Sequence, residues 1–247
     1  MINLFRIFIA AGILNFAAGP ASSADTLSET QKKEVEAVIQ DYLLKNPRII
    51  TKAIEVLQAR KRGAEEKQTK AALFAQRSQL FDDPSSPIGG NPSGDITVIE
   101  FFDYRCGVCK RVHPIVEKLV KSDKKIRRVY KEWPILGNNS VMAARAALAS
   151  HRQGKYVAFH NAMMEARAQL NQNAIMTIAR RIGLDTSRLT RDMESPAVNR
   201  ILKQNFALAK ALKLTGTPSF VIEDTLLRGG RDLVTMKKLV ANARAKK

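Results

Sequence analysis

Cysteine occurs at only two positions, in the run Cys106-Gly107-Val108-Cys109. Thiols at i and i+3 fall on the same side of a helix. If Cys106 occupies the first helical turn, unpaired backbone N–H groups and the helix dipole favour its anion. A free thiol with a pKa near 8.5 is only about 3 % thiolate at pH 7, and a pKa of roughly 5 makes it almost wholly thiolate. Cys106 is then the attacking sulfur. Cys109, one turn further in, is more buried and resolves a mixed disulfide. Other uses of the pair stay open. A structural disulfide closing so small a loop constrains the unfolded chain little. Zinc needs four ligands, and His113, His151 and His160 show no metal spacing, so no metal site is assigned. Two soft thiolates also suit copper(I).

Two further residues belong with the thiols. Glu100 is the only charge in Ile96–Phe102, six residues before Cys106. Strand alternation places it with Ile96, Val98 and Phe102. A carboxyl in that setting has a raised pKa and can exchange protons near neutrality. The alternative is an edge strand whose carboxylate reaches water. Gly216-Thr217-Pro218 follows a helical pattern and precedes a strand. It fits a cis X–Pro bond in a tight turn, or a trans proline that opens the strand.

The elements that must hold these residues are legible from periodicity. Ile96–Phe102 reads as a buried strand that leads into the thiol pair. From Val108, the residues Val112, Ile115, Val116, Leu119 and Val120 recur at helical spacing. Pro114 inside that helix removes a hydrogen bond to the Lys110 carbonyl and predicts a kink. Ile126–Trp133 is a second strand, ended by Pro134. Residues 139–213 read as helical throughout. Ser140 caps an Ala-rich stretch, and Lys155–Leu170 and Ile175–Ile182 follow. Ser195-Pro196 opens a fourth helix running to about Lys213. Ser219–Glu223 and Leu226–Arg228 are short strands about a turn at Asp224-Thr225, and Asp232–Ala245 is a closing helix.

Ahead of the first strand, residues 28–81 read as helix interrupted once, at Asn46-Pro47, where Asn46 caps a second helix and Pro47 takes its first position. Ser28 caps the first helix. Val35, Val38, Ile39, Tyr42 and Leu43, then Ile50, Ile54 and Leu57, form apolar stripes with no evident core of their own. They need a partner surface, and a second copy of the chain is favoured over the main domain. Residues 82–95, rich in Pro and Gly, read as a linker.

The 247 residues carry a net charge of +18, with 45 % hydrophobic and 26 % charged residues. That composition is globular and favours acidic partners or surfaces. Lys and Arg are spread along the whole length, with no zinc-finger spacing and no RNA-binding aromatic signature, which argues against nucleic acid. At the amino terminus, one basic side chain is followed by an apolar run from Leu4 to Ala18 and by Ser22-Ser23-Ala24. This reads as a secretory signal peptide cleaved after Ala24. The alternative is a retained anchor. Export places the thiols in an oxidising compartment.

Phe101 to Lys110, Trp133-Pro134-Ile135-Leu136-Gly137 and Gly216-Thr217-Pro218-Ser219-Phe220 together resemble the DsbA-like branch of the thioredoxin superfamily. The long helical block falls where those proteins insert a helical domain. Residues 28–81 resemble the amino-terminal oligomerisation segment of ScsC-like members. The resemblance implies an α/β thioredoxin fold with an inserted helical domain, preceded by a helical segment. It gives a signal peptide at 1–24, an oligomerisation segment at 25–81 and a linker and start of the fold at 82–95. The thioredoxin fold then occupies 96–138 and 214–247, with the insertion at 139–213.

It also implies residue roles. Cys106 is the nucleophile, Cys109 the resolving thiol and Glu100 the buried acid. Gly107 and Val108 tune the redox potential. Pro218 is the cis proline, and the Thr217 backbone pairs with substrate. No cofactor beyond the redox-active disulfide is implied. The partners implied are exported cysteine-containing clients, a membrane or periplasmic protein that resets the thiol pair, and further copies of the chain as a dimer or trimer. The compartment implied is the periplasm. The best-known oxidase of the family has Pro-His between its cysteines, and Thr before the proline is more like the isomerases, so the reading leans toward disulfide shuffling. A copper(I)-binding or chaperone role is the rival from another class.

Overall fold

Ile96–Phe102 is buried at every position because it is hydrogen-bonded on both edges and covered on both faces. In the computed structural model, which describes residues 27–247, this strand is β2. β1 is Ile88–Gly90, β3 Ile126–Glu132, β4 Ser219–Ile222 and β5 Thr225–Arg228. They form one sheet in the order β1-β3-β2-β4-β5. β2 runs parallel to β3 and antiparallel to β4, and β1 and β5 close the edges antiparallel.

Ten helices accompany the sheet among the described residues: α1 Glu29–Lys45, α2 Arg48–Ala75, α3 Arg77–Phe81, α4 Gly107–Ser122, α5 Asn138–His151, α6 Tyr156–Glu165, α7 Gln172–Arg181, α8 Thr186–Met193, α9 Pro196–Ala211 and α10 Leu233–Arg244. One face of β2, through Ile96 and Val98, packs on Val112, Val116 and Leu119 of α4 and Met236 and Val240 of α10. The other face, through Ile99 and Phe101, packs on Leu80, Phe81, Trp133, Leu208 and Leu212. Phe102 and Tyr104 enter a third core built mainly from the helical insertion, including Phe159, Met163, Ile175 and Leu189. The thioredoxin-like fold with an inserted helical block is therefore as expected.

The local differences have physical causes. Asn46 does not cap α2. Its side-chain Nδ2 donates to the Tyr42 carbonyl, so it closes α1 instead. Ser140 is not a helix cap either. Gly137, at φ +96°, precedes α5, and the Ser140 hydroxyl is drawn to Asp103. The helix α8, whose N-cap Asp185 accepts from the Arg188 N–H, has too few apolar residues to announce itself by periodicity. β1 hides in the Pro- and Gly-rich stretch because Ile88 pairs with Val129 through backbone alone. The turn before β5 sits at Glu223-Asp224, one residue earlier than expected. Pro114 lies inside α4, where the sequence places it.

The backbone separates into two compact units, one up to Ala59 and one from Arg60 to Lys247. α1 buries no side chain, and Val38, Tyr42 and Leu57 are exposed. The sequence boundary after residue 81 differs from this division. Leu73, Leu80 and Phe81 are buried in the second unit, and the Lys131 ammonium, itself buried, donates to the Gln79 carbonyl and to Asp83. Burial alone would raise the Asp83 pKa. Hydrogen bonds from Ser85, Lys131 and Ser86 outweigh it and hold the carboxyl at about 2.

These contacts predict that Leu80→Ala lowers stability by about 2–5 kcal/mol, the cost of a large cavity. A fragment beginning at Arg60 should unfold at the same urea midpoint as the full chain. An L80A midpoint equal to the parent's would show that α3 is not part of the core.

Candidate active site

β2 ends at Phe102, whose carbonyl accepts from the Trp133 N–H, and the chain turns through Asp103-Tyr104-Arg105 into α4. The Asp103 carboxylate is buried and accepts from the Arg105 N–H at 2.7 Å, the Ser140 hydroxyl at 2.8 Å, and the Ile135 and Leu136 N–H groups at 2.8 and 3.0 Å. It thereby joins the thiol loop, the loop after β3 and the start of the insertion. Arg105 adds a bond to the Leu136 carbonyl.

Cys106 is the N-cap of α4. Its sulfur accepts from the Cys109 N–H at 3.3 Å and lies 3.3 Å from the Thr217 carbonyl. Both cysteines are free thiols, and the Thr217–Pro218 bond is cis. The Cys109 side chain hydrogen-bonds the Cys106 sulfur, and this outweighs partial burial. With help from Thr217 and the Cys109 and Val108 backbone, it lowers the Cys106 pKa to about 5. The same hydrogen bond, together with desolvation, pushes the Cys109 thiol far above its ordinary value. Val108 is exposed beside the sulfur, and Gly107 is open to solvent.

Glu100 is 1 % exposed, on the central strand, and is not an edge residue. Val98 pairs with Arg128 in register, so Glu100 and Arg128 are diagonal neighbours on one face. Arg128 Nη2 meets Glu100 at 2.7 Å, and Nη1 meets Glu117 of α4 at 2.7 Å. Burial raises the Glu100 pKa, and Arg128 only partly offsets it. Arg128 Nη2 also lies 3.5 Å from His160 Nε2, while His160 Nδ1 lies 3.0 Å from the Tyr104 hydroxyl. A guanidinium only donates, so Nε2 accepts and the imidazole proton sits on Nδ1. Tyr104 then donates to Glu132 at 3.0 Å, beside Tyr156 at 2.6 Å. Burial lowers the His160 pKa and raises that of Glu132.

The structure thus brings Cys106, Cys109, Gly107, Val108, Thr217 and Pro218 together around one sulfur, with Glu100 on the strand behind them. The sequence assigns no role to Asp103, Arg128, Glu132 or Tyr104, and considers His160 only as a metal ligand. Arg128 carries the signal that revealed Glu100, a charge at an inward strand position. Asp103 carries none, because its four donors come from three separate segments. Among the described residues no group of three His, Cys, Asp or Glu could hold a metal ion, and no helix is long and apolar enough to cross a membrane. The expected signal peptide and its cleavage site lie outside the described residues.

Residues 97–241 match the family described as the DSBA-like thioredoxin domain, and residues 31–64 match the Copper resistance protein ScsC N-terminal domain. A thioredoxin-like oxidoreductase from Silicibacter pomeroyi DSS-3 is 50 % identical, with a TM-score of 0.67 over 68 % of this chain and 98 % of that one. Proteus mirabilis ScsC in a transitional conformation is 29 % identical, with a TM-score of 0.66 over 91 % and 100 %. The thiol:disulfide interchange protein DsbA of Bordetella parapertussis is 26 % identical over 61 % of this chain and 74 % of that protein. The Na(+)/H(+) antiporter NhaA of Herminiimonas arsenicoxydans is 27 % identical over 69 % of this chain but only 28 % of the antiporter. The chain spans about a quarter of the length of the first curated relatives it matches.

Alkylation of the reduced protein by iodoacetamide should titrate with a midpoint near pH 5 and be lost in Cys106→Ser. Because the folded pKa is depressed, reduced protein gains stability over oxidised protein as pH rises from about 5 to about 9. That gain disappears as pH falls through 5, and urea melts of both forms would reveal it. Arg128→Met leaves Glu100 buried and unpaired, and should cost about 3–5 kcal/mol at neutral pH. The cost should shrink in acid, where Glu100 takes up a proton. A pH-independent loss would place the role of Arg128 in packing alone.

Proposed function

Because the chain belongs to the DSBA-like thioredoxin family, we propose that it is a thiol–disulfide oxidoreductase that forms or rearranges disulfides in exported proteins through Cys106 and Cys109. The observation that carries this reading is the opposite treatment of two adjacent thiols, with Cys106 held near pKa 5 at a helix N-cap and Cys109 held protonated behind it.

In the reduced enzyme the Cys106 thiolate attacks one sulfur of a client disulfide. The Cys106–client bond forms as the client S–S bond breaks, and the second client sulfur leaves as a thiolate. Attack by that thiolate on another client disulfide rearranges the client. Attack by Cys109 on Cys106 instead releases a reduced client and leaves the enzyme oxidised. The Cys109 proton must depart for that step, and Glu100 is the acid–base group assigned to it. Run backwards, the oxidised pair accepts two electrons from a client dithiol, and a membrane or periplasmic partner then resets it. The Thr217 backbone, beside the sulfur, is the proposed pairing site for the client chain, and Gly107 and Val108 set the potential.

Isomerisation is favoured over simple oxidation by the match of residues 31–64 to an ScsC segment and by the exposed apolar stripes of α1 and α2. Self-association through Val38, Ile54 and their neighbours would cover those stripes and hold several thiol pairs around one client. The periplasm is the proposed compartment. A copper(I) reading has one specific support, the copper-resistance description of the family matched by residues 31–64.

The test is refolding of scrambled ribonuclease. The full chain should isomerise it, and Cys106→Ala should be inert in this assay and in insulin reduction. The double variant Val38→Asp/Ile54→Asp should scatter light as a monomer and isomerise about tenfold more slowly, as expected when linked sites no longer act together. Undiminished activity in a monomeric variant would remove the oligomer from the mechanism. Copper(I) bound in proportion to thiol and blocking both assays would support the metal reading instead.

A further inference from the structure

An open groove of about 720 Å³ runs along α4 beyond the thiols, walled on its far side by the end of α6 and the residues after it. Lys110, Arg111, Lys118, Lys121 and Arg167 line it, against Glu117 and Glu165. Glu117 is ion-paired with Arg128 at 2.7 Å, which it shares with Glu100, and with Lys121 at 3.7 Å. Arg111, Lys118 and Arg167 enter no ion pair among the described residues. Lys110 anchors the floor, its ammonium donating to the Met163 and Ala166 carbonyls. The wall also holds unused polar capacity. His113 is 3 % exposed with neither ring nitrogen hydrogen-bonded, and Asn161 Oδ1 is buried without a partner.

The near end of the groove, at Lys110 and Arg111, lies one turn along the helix that Cys106 caps. Lys110 follows Cys109 directly, and the Arg111 guanidinium stands 3.6 Å from where a Cβ on Gly107 would lie. From Lys110 to Lys121 the helix advances about 16 Å at about 1.5 Å per residue. At about 3.3 Å per residue, that length accepts roughly five residues of extended chain.

We propose that this groove is a client subsite that recognises acidic residues flanking the reacting cysteine, so that the enzyme prefers client disulfides set in acidic sequence. The inference rests on the oxidoreductase reading above. Cationic side chains with no internal partner, placed on the helix that Cys106 caps, raise the encounter rate of an acidic segment and hold it in register.

The experiment uses two synthetic peptides with one cysteine each, carried as the mixed disulfide with nitrothiobenzoate. One has two Glu on each side of the cysteine and the other has Gln. The Cys106 thiolate attacks the peptide sulfur, the enzyme–peptide disulfide forms, and the coloured nitrothiobenzoate thiolate leaves. The Glu peptide should react about tenfold faster at low salt, and Lys118→Glu/Arg167→Glu should erase or invert that ratio. In parallel, the Glu peptide with Ser in place of Cys is followed by fluorescence anisotropy, which requires no exchange. It should bind the full chain and bind the double variant about tenfold more weakly. Equal rate ratios and equal binding in parent and variant would overturn the subsite. Charge-dependent binding without exchange of either peptide would uphold the groove and sink the oxidoreductase reading.

Discussion

One buried carboxylate, that of Asp103, holds the thiol loop in place. A buried charge is costly unless every lone pair is used, and here four donors from three segments converge on it. The thiol loop, the loop after β3 and the first turn of α5 therefore share one electrostatic anchor. Cys106 reaches the helix N-terminus because the chain before it cannot drift. The insertion starts beside the thiols for the same reason. Gly137, with its positive φ, lets the backbone turn there without a steric penalty.

Behind that anchor, the environment separates two chemically identical thiols. Cys106 sits where N–H groups point outward and a neighbouring thiol can donate to it. Cys109 supplies that bond and lies in the apolar layer, so its own anion is unfavoured. Glu100, Arg128 and Glu117 form a line of alternating charge from the sheet to the surface of α4. His160, Tyr104 and Glu132 continue the polar network into the insertion. The insertion is thus wired to the thiol loop by hydrogen bonds as well as by packing. The five aromatic and imidazole rings packed edge-on or stacked around His160 keep water away from it.

The unit up to Ala59 follows different physics. Its first helix, α1, is well capped, with a capping box at Ser28 and Gln31, yet buries nothing. Local propensity and capping specify such helices, but an amphipathic face gains most of its stability from a partner. The second unit begins inside α2. The same helix therefore carries an exposed apolar stripe at one end and, at Leu73, a core residue at the other.

The sequence alone was enough to locate the thiols, the acid on the central strand, the Thr-Pro turn, the sheet's main strands and the helical character of the insertion. Those features rest on residue type and on periods of two or 3.6, which are local properties. Tertiary structure decided the rest. Asn46 closes α1 and does not open α2, because its side chain finds the carbonyl behind it first. Ser140 serves Asp103 and not its own helix, because a buried carboxylate is a stronger demand than a solvated helix end. Ile88 joins the sheet edge through backbone bonds that no side-chain pattern encodes. Arg128, Glu132, His160 and Tyr104 are separated by up to 56 residues and meet only in the folded chain. Hydrogen bonding between distant segments leaves no period in the sequence, so the polar network behind the thiols could be found only in three dimensions.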